Sequence, residues 1–145
     1  MIKLIIVSGY FNPLHMGHIR LLESAKSIGD KVLVIINNDI QQIIKYGKII
    51  MSETERMEVV KAMRYVDEVI LSIDEDTTVS RTLENVINKY PRFKIIFANG
   101  GDRKSKADVP ETSVCDRFGI EMRFDVGGTE KLNSSSNINR LRGIE

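Results

Sequence analysis

Both histidines of the chain, His15 and His18, lie in one short segment, Gly9-Tyr10-Phe11-Asn12-Pro13-Leu14-His15-Met16-Gly17-His18. Imidazole N–H groups donate hydrogen bonds to phosphate oxygens, more strongly when protonated. The apolar run from Ile2 to Ser8 before the segment reads as a buried strand. The residues Ile19, Leu21, Leu22 and Ala25 after it read as a helix ending near Gly29. The i, i+3 spacing then places both rings on one turn at a helix start, beside unpaired backbone N–H groups and the positive end of the dipole. Such a place holds anions. Gly9 lets the strand end turn closely around a nucleotide, and Gly17 removes a side chain where a triphosphate would lie. In phosphoryl chemistry a protein chiefly aligns the reactants and offsets charge developing in the transition state, which suits two histidines placed in this way. A zinc site is disfavoured, because no third His or Cys ligand is evident.

Further loops carry groups of the same kind. Asn99-Gly100-Gly101-Asp102 follows an apolar run from Phe93 to Ala98. Its glycines permit close backbone approach to a base or ribose, and Asp102 can accept from a hydroxyl or help order Mg²⁺. Ser134-Ser135-Ser136 opens the last short helix, where hydroxyls and free N–H groups suit β- and γ-phosphates. Lys48 lies in a polar loop before Ser52, with Lys45 competing for any role there. Arg64 ends the helix that Ser52 begins, and Arg56 on that helix reads as a surface or salt-bridge residue. Met51, Met57 and Met63 read as core or gap-filling residues. Arg140 and Arg142 read as a solvated helix end.

The elements that must position these groups alternate along the chain. Strands are expected at Ile2–Ser8, Lys31–Asn37, Val66–Ile73, Phe93–Ala98 and Ile120–Val126. Helices are expected after the first loop, weakly before Tyr46, from Ser52 to about Met63 behind an S-x-x-E capping box, over Thr77–Tyr90 and over Pro110–Phe118. Such alternation implies an α/β fold, a three-layer Rossmann-like parallel sheet of about five strands with helices on both faces. Ligands of such sheets bind at the carboxyl ends of the strands, near the switch point. The loops after the first, fourth and fifth strands are the ones rich in Gly, Asn, Asp or Ser, which points to one site.

The 145 residues fit one domain, 1–145, and show no repeat, linker or membrane-spanning run. With 21 basic against 20 acidic residues, the net charge of +1 supplies no global field toward nucleic acid or an anionic membrane. The aromatic share of 6%, with no Trp, weakens a nucleic-acid role further. The single Cys115 excludes an internal disulfide, suits a reducing cytoplasm and reads as structural.

The segment GYFNPLHMGH resembles the G-x-F-[DN]-x-x-H-x-G-H motif of the HxGH nucleotidyltransferase superfamily, and the likeness spans nearly the whole chain. That superfamily includes glycerol-3-phosphate cytidylyltransferases, heptose-phosphate adenylyltransferases and nicotinate mononucleotide adenylyltransferases. The resemblance implies an enzyme that transfers a CMP or AMP moiety from CTP or ATP to a phosphorylated polyol or sugar and releases pyrophosphate. It gives His15 and His18 the phosphate contacts and has Tyr10 and Phe11 line the nucleotide site with their backbone. Asn12 stands where the small cytidylyltransferases usually have Asp, and the FNP variant is similar to the nicotinate mononucleotide enzymes.

By the same resemblance Lys48 reaches the phosphates from the side opposite the histidines, and Arg64, in RYVDEVI, reaches the nucleotide. Asn99 to Asp102 resembles the GGD loop of the adenylyltransferases. Ser134 to Ser136 resembles the I-S-[ST]-T motif, with Asn133 in place of its apolar residue and Gly128 near the usual arginine. Mg²⁺ held mainly by the triphosphate, and a homodimer, are further implications. Two alternatives stay open: a non-catalytic nucleotide-binding or regulatory protein of the same fold, and a nicotinate mononucleotide adenylyltransferase-like enzyme, for which 145 residues is short.

Overall fold

The computed structural model describes residues 1–100 and 105–127. Five strands run parallel in one sheet: β1 (Lys3–Gly9), β2 (Lys31–Ile36), β3 (Glu68–Leu71), β4 (Lys94–Ala98) and β5 (Glu121–Arg123). Their order is β3-β2-β1-β4-β5, so the winding direction reverses between β1 and β4. The cleft of a doubly wound sheet opens at that point, beside the end of β1. β3 and β5 are shorter than the apolar runs suggested. Pairing holds β3 to β2 only over Glu68–Leu71 and β5 to β4 only over Glu121–Arg123.

The central strands are apolar on both faces, and their side chains divide between two cores. Leu4, Ile6, Leu33, Ile35, Ile95 and Phe97 face α4 (Ser80–Lys89) and α5 (Thr112–Phe118), against Leu83, Val86, Val114 and Cys115. Ile5, Val7, Val32, Val34, Ile36 and Ile96 face α1 (Met16–Ile28) and α3 (Glu53–Lys61), against Leu22, Ala25 and Val60. The three expected layers are present. Met57 and Met63 pack against the second core, as gap-filling residues do. Cys115 is fully buried, and burial, then Glu111 and Asp116, push its thiol up to about 11.

The weak helical stretch before Tyr46 forms α2 (Asp39–Tyr46), and its orientation runs against its composition. Gln41 and Gln42 are fully buried, whereas Ile40, Ile43 and Ile44 are each about half exposed. Hydrogen bonds rather than apolar contacts hold the inner face. Gln41 Nε2 donates to the carbonyls of Asp76 and Thr78, and Asn38 Nδ2 donates to those of Ser72 and Asp74. Among the described residues, no helix is long and apolar enough to cross a membrane.

Candidate functional site

The first loop leaves β1 at Gly9 and folds back on itself. Phe11 has φ 54° and is buried, and its ring closes over Gly9. A Cβ added at Gly9 would stand 3.1 Å from Phe11 Cε2, so any side chain there would push the Phe11 ring aside by a few tenths of an ångström. Phe11 then meets the His18 ring at 4.7 Å between centroids, and His18 lies 3.9 Å from His15 at 30° between planes. The two imidazoles lie nearly face to face and the phenyl ring meets them at a tilt, one cluster at the start of α1.

Both histidines also cap that helix. The Gly17 amide donates to His15 Nδ1 at 3.1 Å, and the His15 amide donates to His18 Nδ1 at 3.2 Å. Each Nδ1 therefore accepts, which places the hydrogen of each neutral ring on Nε2 as a donor. Capping and phosphate binding are compatible because they use opposite nitrogens. The expected gain from protonation does not apply to His18: burial, and then the neighbouring His15, push its pKa down to about 3. His18 is a neutral N–H donor throughout the physiological range.

A second group of side chains gathers behind the loop. Asn12 is fully buried; its Nδ2 donates to Gln42 Oε1 at 2.7 Å, and its Oδ1 accepts from the Met51 amide at 3.2 Å. Tyr10 donates to the Gln41 carbonyl, meets Tyr46 edge-on and lies under Lys45 Nζ at 4.6 Å. Burial, then Tyr46, push the Tyr10 phenol up to about 12, so it stays protonated. Lys45 is thus in contact with the first loop, while Lys48 stands exposed just past Gly47 in the following turn.

Arg56 is the salt-bridge residue of the two expected roles, but it is buried rather than on the surface. Its side chain is fully buried and pairs with Asp39 at 2.9 Å, and its other hydrogens go to the carbonyls of Tyr10, Asn37 and Met51. It ties the ends of β1 and β2 to the turn before α3. Sequence position alone gave no signal of this, because an arginine one turn into a polar helix normally points to water.

The loops after β4 and β5 converge on α1. The Asn99 amide donates to the Arg123 carbonyl, and the Val126 amide donates to that of Asn99. Gly100 lies near Leu21, and a Cβ on Gly127 would stand 2.9 Å from the Leu21 amide nitrogen. Leu21 is three residues past His18, so the loops after β4 and β5 pack on the helix that the first loop leads into. Asp125, at φ 56°, adds a carboxylate whose Oδ1 is buried without a hydrogen-bond partner. Arg64 is exposed and donates to the Tyr65 hydroxyl, which donates to Glu23 of α1. Gly101, Asp102, Gly128 and Ser134 to Ser136 lie outside the described residues.

The family is identified by this loop and the fold around it. The cytidylyltransferase-like family model matches residues 6–138, and the chain belongs to that family. The glycerol-3-phosphate cytidylyltransferase of Bacillus subtilis is 34% identical over 106 residues, covering 73% of this chain and 77% of that one. The FAD synthase of Ferroglobus placidus is 40% identical over 74 residues, covering 51% of this chain and 48% of that one, so the match spans about half of it. A lipopolysaccharide core biosynthesis protein from Thermoplasma volcanium shares the fold, with a TM-score of 0.61 at 22% identity over 86% of this chain and 96% of that one.

Proposed function

We propose that the chain is a nucleotidyltransferase that moves the NMP of CTP or ATP onto a phosphorylated small molecule. An oxygen of the acceptor phosphate attacks the α-phosphorus, the bond to the bridging oxygen of the β-phosphate breaks, and pyrophosphate leaves with the electron pair. The acceptor is already anionic, so no strong general base is needed. The observation that carries this reading is the stacked, Nε2-protonated pair His15 and His18 at the carboxyl edge of the sheet. Donors held in place before reaction stabilise developing charge without reorganisation.

In the same reading Lys48 serves the far side of the phosphates, and Gly9, Tyr10, Phe11, Asn12 and Gly17 form the nucleotide loop. Asn99 to Asp102, Ser134 to Ser136 and Arg64 complete the binding surface. Among the described residues no three His, Cys, Asp or Glu side chains gather to hold a metal. In this reading Mg²⁺ would be held mainly by the triphosphate and its waters. When bound, Mg²⁺ neutralises phosphate charge. A cytoplasmic homodimer is the proposed working form.

The two relatives point to different substrates. One name implies CTP with glycerol 3-phosphate; the other implies ATP with FMN, since FAD is an AMP joined to a flavin phosphate. The test is pyrophosphate release from each of ATP, CTP, GTP and UTP with Mg²⁺, offered glycerol 3-phosphate, a sugar 1-phosphate or FMN. One pair should turn over, and His18→Ala should lower kcat about 100-fold or more. Unchanged turnover in His18→Ala removes the mechanism.

A further inference from the structure

We infer that Asn12 and Gln42 form a buried latch that positions Lys48 by holding the 47–51 turn against the first loop. The inference rests on the proposed phosphate-side role of Lys48.

Gln42 Oε1 accepts from three donors: Asn12 Nδ2 at 2.7 Å, the Ile50 amide at 2.6 Å and the Met51 amide at 3.3 Å. Its Nε2 donates to the Met51 carbonyl at 2.8 Å and to Asp39 Oδ1 at 3.0 Å. These contacts fix which way the amide points. Flipping it would turn an oxygen toward the Met51 carbonyl and Asp39, and an NH₂ toward three donors. Asn12 adds its own bond to the Met51 amide, and Arg56 Nε donates to the Met51 carbonyl.

The backbone of residue 51 is thereby held by side chains from the first loop, from α2 and from α3. Lys48 stands three residues earlier, between Gly47, which ends α2 at φ 78°, and the pinned pair Ile50–Met51. A turn held at both ends carries a lysine whose backbone does not have to be ordered when nucleotide arrives. The arrangement also gives the amide at position 12 a definite task. A carboxylate there could still accept from the Met51 amide, but it would face Gln42 Oε1 with no hydrogen to donate.

Gln42→Met removes the polar atoms at similar length, and Asn12→Asp changes a single group should the first variant fold poorly. Hydrogen exchange is read at the amides of Ile50 and Met51, and at those of β1 and β2 as the control for folding. Pyrophosphate release is read with the nucleotide and acceptor selected from the panel above, in the presence and absence of Lys48→Ala. The latch predicts exchange at least tenfold faster at Ile50 and Met51 with the strands unchanged. It also predicts a kcat/KM loss of tenfold or more that shrinks below twofold once Lys48 is already alanine, because residues acting through one another are not additive. Unchanged exchange, or losses that multiply in the double variant, overturn the latch and leave Lys48 standing. A fully active Lys48→Ala overturns the lysine's role, and with it the latch's part in positioning it.

Discussion

The depressed pKa of His18 makes acid a specific probe of the site. In the unfolded chain His18 has an ordinary pKa near 6.5, and in the fold it is pushed down to about 3. Between these values the unfolded state binds a proton that the folded state refuses. The contribution is therefore complete above pH 6.5 and is lost as pH falls toward 3, at about 1.4 kcal/mol per pH unit. From pH 6.5 to 5 the loss amounts to about 2 kcal/mol. Carboxylates such as Asp76, held low by the Thr78 hydroxyl, and Glu121, held low by Arg123, add their own losses only below about pH 4.5. Urea denaturation at pH 7, 6.5, 6, 5.5 and 5 should show the slope in the native protein and its absence in His18→Gln. A nitrogen-resolved imidazole titration should place the His18 midpoint below 5. Equal slopes in the two proteins, or a midpoint near 6.5, would refute a neutral His18 buried against His15.

Two substitutions test the supports of the site. Arg56→Met strands Asp39 and three carbonyls, one of them buried, and should cost about 3–5 kcal/mol in urea denaturation. Arg56→Lys, a point donor in place of a fork, should restore only part, and a loss under 1 kcal/mol for Arg56→Met would show that the clamp is dispensable. Gly127→Ala places a methyl 2.9 Å from the Leu21 nitrogen at φ 90°. It should cost about 1–3 kcal/mol by the same method, and an unchanged melting temperature would mean that the loop after β5 yields freely.

The parallel sheet and its two helical layers follow from alternating apolar runs and helical patterns, and those were legible because both periods are strong in β1, β2, β4, α1 and α4. The histidine pair was legible for the same reason: its two residues are close in sequence and sit at a strand–helix junction. What lay hidden depends on residues far apart in the chain. The isoleucines of α2 would ordinarily mark the inward face, yet the inner side meets a row of loop carbonyls and amides that only amide side chains satisfy. Arg56 is buried because Tyr10, Asn37 and Met51 converge on it from three segments. The ends of β3 and β5 were overestimated because apolar residues beyond the paired positions pack on the core without a strand partner.

The lone thiol has a practical meaning. With Cys115 at 0% exposure and its pKa near 11, about one molecule in ten thousand carries a thiolate at pH 7, and that sulfur is shut away from reagents. The native thiol is in effect silent toward maleimides. A cysteine introduced by Lys48→Cys, on an exposed turn, would be the single addressable thiol, giving a spectroscopic handle beside the first loop without any thiol background to engineer away.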